Sequence, residues 1–115
     1  MDLDKLLGEL KNMDLGALMG QAQQVQGQVA EAQERAARRE VVGEAGGGIV
    51  KVTANGRQEI LRVDIDPIAV DPRDKEMLED LLVAATNVAL HKAKAVMAEE
   101  LGPLAGMMQA GGVGL

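Results

Sequence analysis

The first half of the chain has the hydrophobic spacing of helices. The opening leucines follow an i, i+3, i+4, i+7 pattern, which predicts a short amphipathic helix: Leu3, Leu6, Leu7 and Leu10. A longer stripe then repeats at alternating intervals of three and four residues: Leu15, Leu18, Ala22, Val25, Val29, Ala32 and Ala36. With Gln, Glu and Arg on its other faces, this stripe predicts a helix from about residue 14 to residue 40, with Asp14 as its N-cap.

The middle of the chain changes to the alternation typical of β-strands. Val41 and Val42 predict a short strand that Gly43 interrupts. Residues 49–54 and 57–66 predict two longer strands joined at Asn55-Gly56, a dipeptide typical of tight hairpins. One face of this hairpin is predicted to be buried: Val50, Val52, Ala54, Leu61, Val63 and Ile65. The other face is predicted to carry Lys51 and Arg62 together with Ile49 and Ile60.

A second long helix is predicted in the last third of the chain. Asp71 is expected to be its N-cap and Pro72 its first residue, and Gly102-Pro103 ends it. Its apolar stripe comprises Leu78, Leu81, Leu82, Ala85, Val88, Ala89, Ala93, Val96 and Met97. Residues 103–115 are rich in Gly and Met and have no periodicity, so they are expected to form a disordered tail.

The predicted lengths indicate a homodimer. Helices of this size are about 40 and 45 Å long, whereas strands of six to ten residues span only about 20–33 Å. The helices must therefore overhang their own sheet. The apolar stripes of the overhanging helices would be exposed in a monomer, which is unfavourable. Association of two copies about a two-fold axis is the common way to bury such surfaces.

Composition limits the possible functions. The chain has no Phe, Trp or Tyr, so it cannot stack unpaired bases on aromatic rings. It has no Cys, which excludes a disulfide framework and thiolate metal sites. It has no apolar run of the ~20 residues that a membrane helix needs. We therefore expect no membrane partner and a cytoplasmic location.

The charge is unevenly distributed. The net charge is −6, but residues 35–62 carry six basic and three acidic residues, whereas residues 63–80 carry two basic and seven acidic ones. Any binding to phosphate would therefore have to occur at a local basic surface rather than over the whole protein. Three basic clusters are candidates: Arg35, Arg38 and Arg39; Lys51, Arg57 and Arg62; and Lys92 and Lys94. Each cluster is alternatively an ordinary solvated face, or a partner for the acidic segment of a second subunit.

No catalytic or metal site is predicted. Gly46-Gly47-Gly48 leads into a strand and lacks the P-loop pattern, so a backbone bend is expected there. Asp64, Asp66, Asp71 and Asp74 match no metal-binding spacing and are assigned to a strand end and to capping. His91, the single histidine, has no evident orienting partner for catalysis. We expect no enzyme, no cofactor and no small-molecule substrate.

Two blocks of the sequence, GGGIVKVTANG and VDIDPIAVDPRDKEMLEDLLVAATNVALHKA, resemble the core of the YbaB/EbfC family. The Gln-rich MGQAQQVQGQV resembles the family's N-terminal helix. The resemblance covers residues 14–102, leaving residues 1–13 as an N-terminal extension. It implies an α+β protomer with a long N-terminal helix, a three-stranded antiparallel sheet and a long C-terminal helix, assembled into a tweezer-like homodimer.

The resemblance also implies binding of double-stranded DNA, association with the nucleoid and a role in DNA organisation, replication-repair or transcription, with replication-repair proteins as possible partners. In the family, DNA contact is associated with the helical arms. The matching positions here are Gln21, Gln23 and Gln24 on the first long helix and Lys92 and Lys94 on the second. With Arg35, Arg38 and Arg39 they form the predicted DNA-binding set. The alternative is a protein–protein adaptor that uses its exposed helical seams without binding DNA.

Overall fold

The computed structural model describes residues 2–12 and 15–104. Its main elements follow the order α1 (Leu3–Asn12), α2 (Leu15–Arg38), β1 (Glu40–Ala45), β2 (Val50–Asn55), β3 (Ile60–Ile65) and α3 (Lys75–Glu100). The predicted α+β architecture is confirmed: two long helices flank a three-stranded antiparallel sheet in the order β1-β2-β3. The expected N-cap Asp14 lies outside the described residues, as does the predicted tail from residue 105 onward.

The turn between β2 and β3 is one residue longer than the two-residue Asn55-Gly56 turn that the predicted strand ends imply. The amide of Asn55 donates to the Glu59 carbonyl across a three-residue loop, and Gln58 takes the left-handed conformation at φ 61°. An odd loop would reverse the strand faces, but a β-bulge beside Thr53 and Ala54 restores the register. Ile60 consequently lies opposite Ala54 on the helix-facing side, so its predicted position on the outer face was wrong.

Gly43 continues β1, and the predicted break there was wrong. Its residue partner across the sheet is Val52. A Cβ at this position would collide with the backbone of α3 at Ala85 and Ala89. The glycine therefore serves as a contact point where the helix crosses the strand, since only a residue without a side chain permits so close an approach.

The core is a thin aliphatic layer between α3 and the first two strands. Val50 and Val52 are its largest fully buried side chains. Small residues of α3 pack on them: Ala85, Ala89 and Ala93. Among the described residues no helix packs on the same side of β3, and Leu61, Val63 and Ile65 stay exposed. The β3 half of the face that was predicted to be buried is therefore exposed to solvent.

The start of α3 differs from the prediction. The helix begins at Lys75, and the Asp74 carboxylate accepts a hydrogen bond from the Met77 amide at 3.1 Å. Asp71 instead closes the preceding turn, because its carboxylate accepts from the Arg73 amide at 2.9 Å. The hydrogen bonds from the amide and side chain of Arg73 lower the pKa of the Asp71 carboxyl. Pro72 therefore occupies a turn rather than the first helical position.

Helix α2 projects from this body as an arm. Residues 15–24 are all exposed, and only Ala32 and Ala36 near its end are buried. The protomer extends over 78 × 28 × 18 Å with a radius of gyration of 22.9 Å, against about 13 Å for a compact domain of this length. The overhang predicted from the helix lengths is confirmed.

Candidate nucleic-acid interface

Two arginines at the end of α2 are held by two acids at the end of α3. Arg35 Nε lies 2.9 Å from Glu100 Oε2, and the Arg39 guanidinium lies 2.8 Å from Glu99 Oε2 and 3.1 Å from Glu100 Oε1. Hydrogen bonds from Arg35 and then Arg39 lower the pKa of the Glu100 carboxyl. The hydrogen bonds that Arg39 donates to Glu99 and then to Glu100 raise the pKa of Arg39. This four-residue group, the arm clamp, fixes the root of the arm on α3.

The turn between β2 and β3 docks beside the arm clamp. The Gly56 amide lies 2.8 Å from the Ala36 carbonyl oxygen and 3.2 Å from the Arg39 carbonyl oxygen, so the turn is hydrogen-bonded to the end of the helix. A Cβ at Gly56 would lie 2.6 Å from the Ala36 oxygen, so a glycine is needed. This docking places the exposed Arg57 next to the end of α2, where Arg38 and Arg39 lie.

The other side of the same turn faces α3. Gln58 of the turn lines a shallow depression with residues of the helix: Asn87, Leu90, His91 and Lys94. Lys94 makes no ion pair within the part of the chain that the structure describes. The fold therefore gathers cations from three separate stretches around one turn: Arg38 and Arg39, then Arg57, then Lys94. We call these four residues and the turn 56–58 the basic turn region.

Three other basic residues of the predicted clusters lie away from this region. Lys92 Nζ donates to the Val42 carbonyl oxygen at 2.8 Å, beside β1. On the outer face of the sheet, Lys51 lies 3.8 Å from Glu44, and Arg62 lies 3.4 Å from Glu40. The structure thus divides the predicted second and third clusters, since Arg57 and Lys94 come together at the basic turn region while Lys51, Arg62 and Lys92 do not.

The predicted glutamine positions lie on the arm. Gln21, Gln23 and Gln24 are exposed on α2, and residues 15–30 contain no charged side chain at all. Amide groups can donate hydrogen bonds to phosphate oxygens, but this stretch supplies no attraction at longer range. Within the DNA-binding set, the cations and the glutamines therefore belong to different parts of the molecule.

Acidic residues gather at the opposite end of α3 from the basic turn region. A shallow depression there is lined by Asp74, Glu76 and Asp80 with Met77 and Leu81. Across residues 2–12 and 15–104, no three His, Cys, Asp or Glu side chains are grouped as a metal site requires. In the same ranges, no helix is long and apolar enough to cross a membrane. Helix α3 thus has acidic residues near its N-terminal end and Lys94 on its C-terminal half, which itself ends in Glu99 and Glu100.

Comparison with known proteins identifies the family. The family model described as the YbaB/EbfC DNA-binding family matches residues 11–108. The chain belongs to this family. The predicted resemblance is thereby confirmed, and the family is one of DNA-binding proteins rather than enzymes.

Similar proteins carry matching names. A relative from Mycolicibacterium vanbaalenii is 52% identical over 102 residues, covering 89% of this chain and 91% of the relative. One from Moorella thermoacetica is 48% identical over 93 residues, covering 81% and 89%. Both are named nucleoid-associated proteins. The fold matches the crystal structure of an uncharacterised protein of Helicobacter pylori, HP0035, with a TM-score of 0.64, 26% identity, and coverage of 84% of this chain and 98% of that one.

Sequence reasoning missed the role of Glu99 and Glu100. Acids in the last turn of a helix face the negative end of the helix dipole, which is unfavourable unless a cation compensates. The pair therefore signals a basic partner, but its identity depends on how α2 packs. The position of Gln58 beside Lys94 had no sequence signal, because it depends on the wide turn.

Proposed function

We propose that this chain is a cytoplasmic, nucleoid-associated protein that binds double-stranded DNA as a homodimer, mainly through phosphate contacts. Membership in a DNA-binding family and the names of its relatives support the general function. The observation that carries the phosphate contacts is the basic turn region, where Arg38, Arg57 and Lys94 lie exposed around one turn. Replication-repair proteins as partners stay a prediction from the resemblance.

The basic turn region suits backbone contact better than base reading. Its cations stand on a helix end, a turn and a helix flank, and no single element projects several of them as a recognition helix does. Cations in this arrangement neutralise phosphates and position the protein without reading sequence. The exposed Gln23 and Gln24 on the arm then add neutral hydrogen bonds along the duplex. Binding of this kind is weakly specific and weakens strongly with salt.

The open side of β3 supports the homodimer. Val63 is 46% exposed and Leu61 44% exposed, although both lie on an element that continues the core layer. β3 also ends the sheet, so its outer edge has backbone groups without a neighbouring strand. A second copy placed there by a two-fold axis would cover both features at once. It would also duplicate the basic turn region, giving two phosphate-binding surfaces at a fixed separation.

A fluorescence-anisotropy titration of labelled duplex DNA tests the proposal. Between roughly 50 and 200 mM salt, saturable binding should weaken with a steep log–log slope. Protein concentration must come from peptide absorbance, because the chain has no Trp or Tyr. Absence of binding at the lowest salt, in a sample shown to be folded by circular dichroism, would overturn the DNA proposal.

The adaptor alternative rests on a different observation, the uncharged arm with its exposed apolar residues. If the seam alone carried function, binding would be to a protein partner and would vary little with salt, because hydrophobic contacts are not screened. The salt series therefore separates the two functions.

A further inference from the structure

The Asn55-Gly56 pair is buried, although it begins a hairpin turn. Asn55 is 5% exposed and Gly56 is also buried, whereas Arg57, the next residue of the turn, is exposed. Two helices cover the pair: a Cβ added at Gly56 would lie 2.6 Å from the Ala36 carbonyl oxygen of α2 and 2.7 Å from a Val96 methyl group of α3. The pair is therefore shielded from water by packing between separate parts of the chain.

An asparagine followed by a glycine can lose its side-chain amide. Once a hydroxide ion has removed its proton, the backbone nitrogen of the glycine attacks the side-chain carbon Cγ of the asparagine. A bond forms between this nitrogen and Cγ, the bond from Cγ to Nδ2 breaks, and the amide group takes a proton from water and leaves as ammonia. Water then opens the resulting succinimide at either carbonyl, which leaves aspartate or isoaspartate. Glycine favours the attack because it has no side chain to restrict the backbone.

Docking on α2 restrains the nucleophile of this reaction. The Gly56 N–H donates to the Ala36 carbonyl oxygen at 2.8 Å and to the Arg39 carbonyl oxygen at 3.2 Å. Removing the proton would break both hydrogen bonds and leave a negative nitrogen against two carbonyl oxygens at a buried position, where an unpaired charge is costly. The nitrogen therefore becomes reactive only when the turn separates from the end of α2.

The side chain of Asn55 is held by the turn itself. Its Oδ1 accepts from the amides of Arg57 and Glu59 at 3.0 and 3.2 Å, and its Nδ2 donates to Glu59 Oε1 at 3.0 Å. These hydrogen bonds do not involve α2. An aspartate at position 55 would place a carboxylate oxygen where Nδ2 now faces Glu59, and like charges this close repel each other. The product of deamidation therefore fits the turn less well than the asparagine does.

We propose that Asn55 is a deamidation site that docking of the turn on the end of α2 keeps closed. When the turn separates from α2, Gly56 loses both acceptors and the pair meets water, so the rate of deamidation follows the population of this open state. The arm clamp sets that population, because Arg39 supplies one acceptor and its side chain is held by Glu99 and Glu100. The modification concerns the protein's own chain and does not depend on DNA binding.

Mass spectrometry of the full chain, incubated at mildly alkaline pH and then digested in acid, tests the proposal. The folded natural chain should deamidate at Asn55 at least roughly tenfold more slowly than the chain unfolded in guanidinium chloride. Combining Glu99→Gln with Glu100→Gln loosens the arm clamp and should accelerate the reaction several-fold. Combining Glu76→Gln with Glu79→Gln removes the same charge from the other end of α3 and should leave the rate unchanged. Circular dichroism establishes that each variant is folded.

Two further variants separate docking from the turn's own hydrogen bonds. Arg39→Gln is a milder loosening of the clamp, for use if the double variant does not fold, and it should also accelerate deamidation. Glu59→Ala removes the acceptor of Asn55 Nδ2 but leaves the contacts with α2 in place, so its rate should stay close to that of the natural chain. Equal rates in the folded and unfolded natural chain would overturn the proposal, as would an unfolded chain that does not react at Asn55. A folded, clamp-loosened variant that reacts no faster than its control would overturn it as well, whatever the rate of Glu59→Ala.

Discussion

Arg35 and Glu100, separated by 65 positions in the chain, meet at 2.9 Å where α2 joins α3. Glu100 also accepts from Arg39, so one carboxylate holds two of the arginines that the sequence assigned to DNA. Phosphate and carboxylate are competing partners for the same guanidinium groups. DNA binding by Arg35 and Arg39 therefore requires that the arm clamp open or share its arginines.

Removing the clamp's shared acid should strengthen DNA binding. Glu100→Gln frees Arg35 for phosphate, while Arg39 keeps its contact with Glu99 at 2.8 Å, so the magnitude of the log–log salt slope should rise by about 0.9 for each phosphate newly contacted. Glu79→Gln is the matched control, since it removes the same charge from a pair with Lys75 at the other end of α3. Anisotropy titrations that show equal gains for both variants would mean that only net charge matters.

The arm clamp should also depend on pH. Hydrogen bonds from Arg35 and Arg39 lower the pKa of Glu100 below its ordinary 4.5, so the clamp stabilises the fold fully above that value. Its contribution is lost as the pH falls through the lowered pKa. The difference in urea midpoint between the natural chain and Glu100→Gln, followed by circular dichroism, should therefore be present at neutral pH and shrink in acid. A difference that grows in acid would contradict this assignment.

Lys94 should contribute directly to phosphate binding. It lies in the basic turn region and has no ion pair among the described residues, so Lys94→Gln should weaken DNA binding and reduce the salt slope by about 0.9 per lost contact. Lys75→Gln provides the comparison, because Lys75 lies beside Glu79 at the acidic end of α3. If both variants bind DNA alike in the anisotropy assay, the phosphate surface lies elsewhere.

The open side of β3 predicts where the homodimer can be broken. Val63→Lys places a charge on the exposed apolar side, and burying it in an interface without a partner is costly. Sedimentation equilibrium should then report a monomer. Val42→Lys makes the same change at a comparably exposed valine of β1, on the other face of the sheet, and should leave the mass unchanged. A dimeric Val63→Lys protein would exclude this face as the interface.

Gly43 should be intolerant of any side chain. Gly43→Ala drives a methyl group into the α3 backbone at Ala85 and Ala89, so it should destabilise the fold by about 1–3 kcal/mol or more. Gly27→Ala is the informative comparison. Its methyl group meets open space and should be neutral or stabilising by up to about 1 kcal/mol. Urea unfolding monitored at 222 nm measures both, and comparable stability of the two variants would contradict the close helix–strand contact.

Local patterns were sufficient for the elements of this protein. The stripes of α2 and α3 and the alternation around Val50 and Val52 predicted helices and strands at nearly their observed positions, because periodicity of 3.6 or 2 directly reflects which side of an element is buried. The sequence also predicted the overhanging arm, because the rise per residue of a helix is fixed and a helix of this many residues is longer than a six-residue strand. The family was also identifiable from the sequence, because the triple glycine, the Asn-Gly pair and the two Asp-Pro pairs follow one another in the order typical of the family.

Tertiary structure decided the points that depend on contacts between distant segments. Gly43 looks like a strand breaker in isolation, and only the crossing of α3 shows why a glycine continues the strand there. Asp71 and Asp74 are both suitable N-caps by sequence. In the structure Asp71 closes the turn before the helix, and Asp74 is the N-cap of α3. Arg39, Arg57 and Lys94 belong to separate sequence clusters. Their gathering around one turn, and the binding of Arg35 and Arg39 by Glu99 and Glu100, follow from how α2, the hairpin and α3 pack, which no local pattern encodes.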